Sequence, residues 1–242
     1  MKIFVAGASG ATGRWLVAEL LERGHQVVTV ARPTSQLPER IADHKGLTVI
    51  RANLLDLSDD ELTQIVAGCD AVASCLGHRP NFKGIYGQPR RLVTEATRRL
   101  SRAVQANQPD APVKFVLMNT VANSNRDLNE TRPLGERVIF GLLRLILPPQ
   151  VDNEKAAEVL RTEIGQNDSM IEWVAVRPDT LIDAEQVSAY TLSPTLVSSA
   201  LFGAEQASRI NVGHFMAELI TNDALWQQWQ GQMPVIYNQA SA

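Results

Sequence analysis

The chain has 242 residues, 45% of them hydrophobic and 20% charged, with a formal charge of -3. That length can bury one sizeable core, and α/β folds often reach it as a single domain. Basic and acidic residues are interspersed, which excludes the broad positive surface that neutralises a nucleic-acid backbone.

Six short runs rich in valine, isoleucine and leucine read as strands: Lys2 to Ala6, Gln26 to Ala31, Leu47 to Ala52, Asp70 to Leu76, Val113 to Met118 and Ile171 to Val176. The first begins without a basic segment and cleavage site ahead of it, so a cytoplasmic location is expected. Between the strands, "GRWLVAELLERG", "SDDELTQIVAG", "GQPRRLVTEATRRLSRAVQAN" and "DNEKAAEVLRTEIG" carry helical periodicity. This alternation predicts an α/β fold, a Rossmann-type doubly wound parallel sheet with helices on both faces. Ser58 with Glu61 three residues on predicts a capping box, and Gly24 and Gly68 stand where helices should stop. No repeat or linker interrupts the chain, so residues 1–242 are expected to form one domain.

After the fifth strand "NTVANSNRDLNETRP" reads as a polar loop, and "LGERVIFGLLRLILPPQVDNEK" adds an apolar helix, an insert at about 124–150. Its apolar part, Val138 to Leu147, contains Arg144 and falls well short of the roughly 20 residues of a membrane span. It is expected to pack on the body or at a subunit interface, or else to wall a substrate pocket. The part from about 178 to 242 is expected on the substrate side, and monomer and homodimer both remain open. Cys69 and Cys75 lack CxxC spacing and should be packed thiols; His25, His44, His78 and His214 are scattered, so no metal site is expected. His214 should lie at the start of a late helix, packed or capping.

The chemistry is concentrated in "GASGATG", where Gly7, Gly10 and Gly13 end a strand and open a helix. The first glycine permits a tight turn, the second lets backbone approach a pyrophosphate, and the third lets the helix sit close on the strand. Amides of the turn, with Ser9, Ala11 and Thr12 in it, would face the phosphates at the positive end of the helix dipole. Ser9, Thr12 and Arg14 can add side-chain donors. An NAD site would usually place an acidic residue at the end of the second strand; Arg32 stands there instead and suits a 2′-phosphate, so NADP is favoured over NAD. Other strand ends should line the same crevice: Asn53 and Leu54 at the adenine, Cys75, Leu76 and Gly77 at the middle, Asn119 and Thr120 at the nicotinamide, then Arg177, Pro178 and Asp179. His78 and Arg79 follow the fourth strand, and His78 is a candidate to act near an acceptor.

"FVAGASGATGR", "DAVASCLGHR", "KFVLMNTVAN", "EKAAEVLR", "IEWVAVRPDTL" and "RINVGHFMAELIT" together resemble the atypical short-chain dehydrogenases/reductases, and within them the NAD(P)H-binding flavin reductase/biliverdin-IXβ reductase-like group. The resemblance spans nearly the whole chain apart from the apolar insert. It implies NADP binding and hydride transfer to a flavin, quinone or related conjugated acceptor. It also matches Thr120 to the superfamily's catalytic serine and Lys155 to the lysine of its YxxxK pair. The tyrosine position holds Val151, and "VDNEKAAEVLR" lacks the histidine that flavin reductase-like members carry nearby. An NADP-dependent reductase is therefore expected, with a non-catalytic NADP(H) redox sensor and an epimerase/dehydratase-like enzyme as alternatives.

Overall fold

The computed structural model describes residues 1–78, 81–199, 203 and 205–239. Arg79 lies outside the described residues, as does the end of the chain beyond residue 239. In chain order the elements are β1 (Lys2–Ala6), α1 (Gly13–Glu22), β2 (Gln26–Ala31), α2 (Glu39–Ala42), β3 (Leu47–Arg51), α3 (Asp59–Val66), β4 (Ala71–Ser74), α4 (Phe82–Tyr86), α5 (Leu92–Ala106) and β5 (Val113–Met118). They continue with α6 (Leu134–Ile146), α7 (Pro148–Glu158) running into a π-helical stretch at Val159–Ile164, β6 (Ile171–Pro178), β7 (Thr180–Ile182), β8 (Tyr190–Ser193), β9 (Gln206–Ser208), α8 (Arg209–Thr221), α9 (Asp223–Trp229) and β10 (Val235–Asn238).

The main sheet has eight strands in the order β3-β2-β1-β4-β5-β6-β10-β8, all parallel except β8, which runs antiparallel to β10. Alternate residues of β1 explain why its sequence is apolar throughout: Ile3 and Val5 enter the core beneath α1 and α8, while Phe4 and Ala6 enter the core beneath α3 and α5. A strand covered on both faces has no polar side to display. The fold is thus the doubly wound Rossmann-type sheet that the alternation predicts. α8 can lie directly on α1 because Gly213 faces it; a Cβ there would stand 2.8 Å from the amide nitrogen of Leu16.

Local signals also set helix ends. Ser58 Oγ accepts from Glu61 N (3.1 Å) while Ser58 N donates to Glu61 Oε2 (2.7 Å), closing the capping box of α3. Gly24 and Gly68 adopt φ of +80° and +65° behind their helices, a region costly for any residue with a Cβ.

Four elements differ from expectation. Two further strands, β10 and β8, extend the main sheet past β6. Each has four residues. His214 lies inside α8, not at its start: the N-cap is Ser208, whose hydroxyl accepts from Asn211 N, and His214 Nδ1 sits 3.0 Å from the Tyr190 hydroxyl. The apolar helix α6 buries Glu136 and Phe140, whereas Leu134, Val138, Leu142, Leu145 and Ile146 face outward. Its apolar side is therefore not packed on the body. No helix among the described residues is long and apolar enough to cross a membrane.

Candidate functional site

β1 is flanked by β2 and β4, whose connections run to opposite sides, so a crevice opens at the carboxyl ends of β1 and β4. The glycine turn fills this switch point. Gly7 has φ +85°, and a Cβ on it would lie 2.8 Å from the carbonyl oxygen of Cys75 at the end of β4. A Cβ on Gly13 would overlap the carbonyl oxygen of Gly7, so only glycine lets α1 begin this close to the strand. Inside the turn Gly10 N donates to Gly7 O (2.8 Å) and Arg14 N to Gly10 O (3.2 Å). The amides of Ala8, Ser9, Ala11, Thr12 and Gly13 have no acceptor among the described residues. Five unbonded donors converging at a helix N-terminus are what a diphosphate requires. Nε of Arg14, one residue further, is buried without a partner as well. The turn therefore fits a dinucleotide: the glycines supply clearance and the free amides supply the bonds.

Just after β2, where the sequence places the adenine half of a cofactor, Arg32 is exposed, and its guanidinium makes no ion pair or hydrogen bond among the described residues. Asn53 is exposed with its amide donating to Asp56 Oδ2 (2.7 Å), whereas the Leu54 side chain belongs to the core. In the middle, burial pushes the Cys75 thiol up to about 12, and its sulfur rests 3.9 Å from Met216 Sδ. Cys75 is thus a packing residue whose carbonyl shapes the turn. Leu76 packs against the core, and Gly77 is exposed with open space about it.

At the end of β5, Asn119 is buried and bridges two elements. Its Nδ2 donates to Asn153 O on α7 (2.9 Å), and its Oδ1 accepts from Thr120 N (2.9 Å). Thr120 Oγ1 accepts from Ala122 N (3.2 Å), which leaves the hydroxyl hydrogen free to be donated. On α7, Lys155 is exposed without a partner among the described residues, and half-buried Val151 stands one turn before it. The three tyrosine oxygens are engaged elsewhere: Tyr86 donates to Ile146 O (3.0 Å), Tyr190 meets His214, and Tyr237 accepts from Val197 N (3.1 Å).

His78 departs from its expected role. Its Nε2 lies 2.8 Å from Asp152 Oδ2 and its Nδ1 3.1 Å from Gly84 O. Both partners are acceptors, an arrangement that favours the cationic ring, in which both nitrogens donate. The bond to Asp152 accordingly keeps the imidazole above its ordinary pKa. Neither nitrogen is left for an acceptor. Arg177 and Asp179 also leave the crevice: the guanidinium is fully buried, donating from Nε to Met233 O (2.7 Å) and from Nη1 to Glu130 Oε2 (2.6 Å), while buried Asp179 accepts from Thr180 N. Pro178 is buried, and its carbonyl accepts from Val121 N (3.2 Å).

Sequence reasoning missed Asp152. It accepts from His78, from Val93 N (2.8 Å), and from Thr94 N (3.0 Å) and Oγ1 (2.6 Å), so it joins the loop after β4 to the first turn of α5. Burial alone would raise its pKa, but these bonds outweigh it and hold the carboxyl below the usual range. Its partners lie 58 to 74 residues away, so "VDNEK" alone holds no sign of the role.

The family model described as NAD(P)H-binding matches residues 7–223. Over the full fold the chain is similar to a protein from Streptococcus pneumoniae described as an NADH-flavin reductase, with a TM-score of 0.66 and 19% identity over 99% of this chain and 100% of that one. A short-chain dehydrogenase/reductase from Veillonella parvula, solved in complex with NADP, superposes with a TM-score of 0.68 and 17% identity over 97% of this chain and 93% of that one. These likenesses establish the fold. A divinyl chlorophyllide a 8-vinyl-reductase of Oryza sativa is 58% identical over 60 residues, 22% of this chain and 15% of that protein. The curated relatives are matched over less than a third of their own length.

Proposed function

Because the chain belongs to the NAD(P)H-binding family, whose model spans residues 7–223, we propose that it is an NADPH-dependent reductase delivering hydride to a flavin, quinone or similar conjugated acceptor. The observation that carries the reading is the turn at Gly7 to Gly13, with five free amides at the switch point of the sheet. When bound there, a reduced nicotinamide supplies the hydride, and the protein's task is to hold donor and acceptor together without water. Orientation of this kind is worth several kcal/mol.

The chain's own residues divide that task. The free amides and the clearance at Gly7 and Gly13 grip the diphosphate. Arg32, exposed and unpaired among the described residues, is available to a 2′-phosphate, which favours NADP. Thr120 keeps a hydroxyl hydrogen for cofactor or acceptor, and Lys155 is free to bond a ribose hydroxyl. A carbonyl substrate would miss a general acid, at a cost of roughly 10²- to 10⁴-fold in rate. A flavin or quinone can take its proton from solvent and escapes most of that cost. The names of the Streptococcus and Oryza proteins, a flavin reductase and a vinyl reductase, agree with a conjugated acceptor.

A second reading, an NADP(H)-binding redox sensor without turnover, draws on Val151 at the tyrosine position and on the engaged nitrogens of His78. An epimerase/dehydratase-like role suffers most from the missing tyrosine. Following loss of the reduced-nicotinamide absorbance with FMN, riboflavin and quinones separates these readings. Steady oxidation, abolished by Gly10→Glu and with NADPH preference reduced about tenfold by Arg32→Asp, supports the reductase. Tight NADPH binding with no oxidation across the panel would leave only the sensor.

A further inference from the structure

Eleven large hydrophobic side chains are exposed among the described residues, and seven of them lie on two neighbouring helices. On α6, Leu134, Val138, Leu142, Leu145 and Ile146 recur at three- and four-residue spacings, which lines them up as one outward stripe. On α4, Phe82 and Tyr86 are exposed one turn apart, their ring centroids 5.0 Å from each other. The Tyr86 hydroxyl donates to Ile146 O (3.0 Å), which sets the α4 pair beside the C-terminal end of the stripe. Phe82 and Leu145 are each 81% exposed, so the body of the protein covers neither. Single exposed apolar side chains are ordinary, whereas a patch continuous over adjoining helices marks a docking surface.

The patch is bordered by positive charge. Residues 81–94 contain no acidic residue, and residues 131–151 contain one, Glu136, which is buried. Arg90 and Arg91 follow α4, with Arg90 Nε donating to Tyr86 O (3.4 Å), and Arg137 and Arg144 run along one edge of the α6 stripe; all four are exposed. Arg144 pairs with Glu154, while Arg90, Arg91 and Arg137 have no carboxylate partner among the described residues. The whole chain has a formal charge of -3, so this positive field is local to the apolar face.

A second copy of the chain fits this face poorly. Antiparallel pairing of α6 with α6 would lay arginines near arginines, and α6 exposes no carboxylate to answer them. A 13-residue helix is about 20 Å long and about 10 Å wide, so its face offers roughly 200 Å², well short of the ~800 Å² per partner of a stable dimer. A bilayer of anionic phospholipid asks for no matched shape. It takes an apolar stripe among its acyl chains and draws the flanking arginines to its headgroups. We propose that α6 and α4 lie flat on an anionic phospholipid surface, with Leu142, Leu145 and Phe82 in the acyl layer and Arg90, Arg91 and Arg137 at the headgroups. The assignment is independent of the reductase reading.

Cosedimentation of the full chain with vesicles tests it. Phosphatidylcholine vesicles carrying about one-third phosphatidylserine should bind at least about tenfold more tightly than phosphatidylcholine alone, and rising salt should shrink that advantage. Leu142→Glu combined with Leu145→Glu, both at exposed positions, should weaken binding by more than about tenfold with the melting curve unchanged. Arg137→Gln should weaken binding to the anionic vesicles by about fivefold. Absence of sedimentation with either vesicle, equal affinity for the two, or unaltered binding in the double variant overturns the proposal. Unaltered binding to anionic vesicles in Arg137→Gln does so as well, whatever the folding of the double variant. A lipid-free dimer in sedimentation equilibrium that the double variant dissociates would also overturn it, because a second copy would then cover α6.

Discussion

Gly13 occupies the tightest position in the cofactor turn, since a methyl group there would meet the Gly7 carbonyl, which is fixed as the acceptor of Gly10 N. Gly13→Ala must either push α1 off the strand or open the turn. Overpacking of this kind costs about 1–3 kcal/mol, which lowers the melting temperature of a chain this long by roughly 2–4 °C per kcal/mol. The expected result is a modest drop in the melting curve together with a much larger loss in an NADPH titration, because the displaced amides are the groups proposed to bind the diphosphate. A full-affinity Gly13→Ala protein would show that the close approach serves packing alone. The same scale explains why Cys75 and Leu54 contribute little beyond backbone and shape: their side chains belong to the core.

At the scale of elements, the junction of α5, α7 and the loop after β4 hangs on Asp152 and His78. The sequence expectation began the third helix at Gly87, whereas α5 starts at Leu92. Its first free amides, Val93 N and Thr94 N, are satisfied by Asp152 from another helix and not by a local cap. This junction is pH-dependent in both directions. His78 is raised above its ordinary value of 6.5 by its bond to Asp152, so its contribution is complete below that pH and fades as pH climbs through the folded value. Asp152 is depressed below 3.8, so its contribution is complete above that value and fades as pH falls through the folded one. Melting temperature against pH should therefore fall along the alkaline limb, as pH rises above 6.5. His78→Gln should flatten that limb while leaving the acid limb in place; an unchanged alkaline limb in the variant would remove His78 from the account.

For the whole molecule, Arg177 ties the late strands to the body. From β6 it reaches Met233 ahead of β10, Asn123 and Glu130 in the loop after β5, and Pro194 after β8. Burial is the largest influence on the Glu130 carboxyl and works against its charge, but the bond and charge of Arg177 with the amides of Asn125 and Leu196 together outweigh it and hold the group below its usual range. Removing one member of a buried pair strands the other, at a cost of about 3–5 kcal/mol. Arg177→Met should thus lower the melting temperature by roughly 6–20 °C, and adding Glu130→Gln should recover part of the loss. A melting curve within a degree or two of the parent would deny Arg177 this role. The arginine of "RPD" was expected to line the crevice; it is instead what fastens β10 and β8 to the sheet.

The sequence alone determined the sheet's central strands, the helices between them, the glycine turn and the α3 capping box, because each rests on periodicity, steric demand or hydrogen bonds among near neighbours. The tertiary structure alone decided the added strands β10 and β8, the inward turn of Arg177 and the capture of His78 by Asp152. In each of those cases the deciding partner lies tens of residues away. Which of two such partners a buried charge meets is fixed by packing, and no local pattern encodes it.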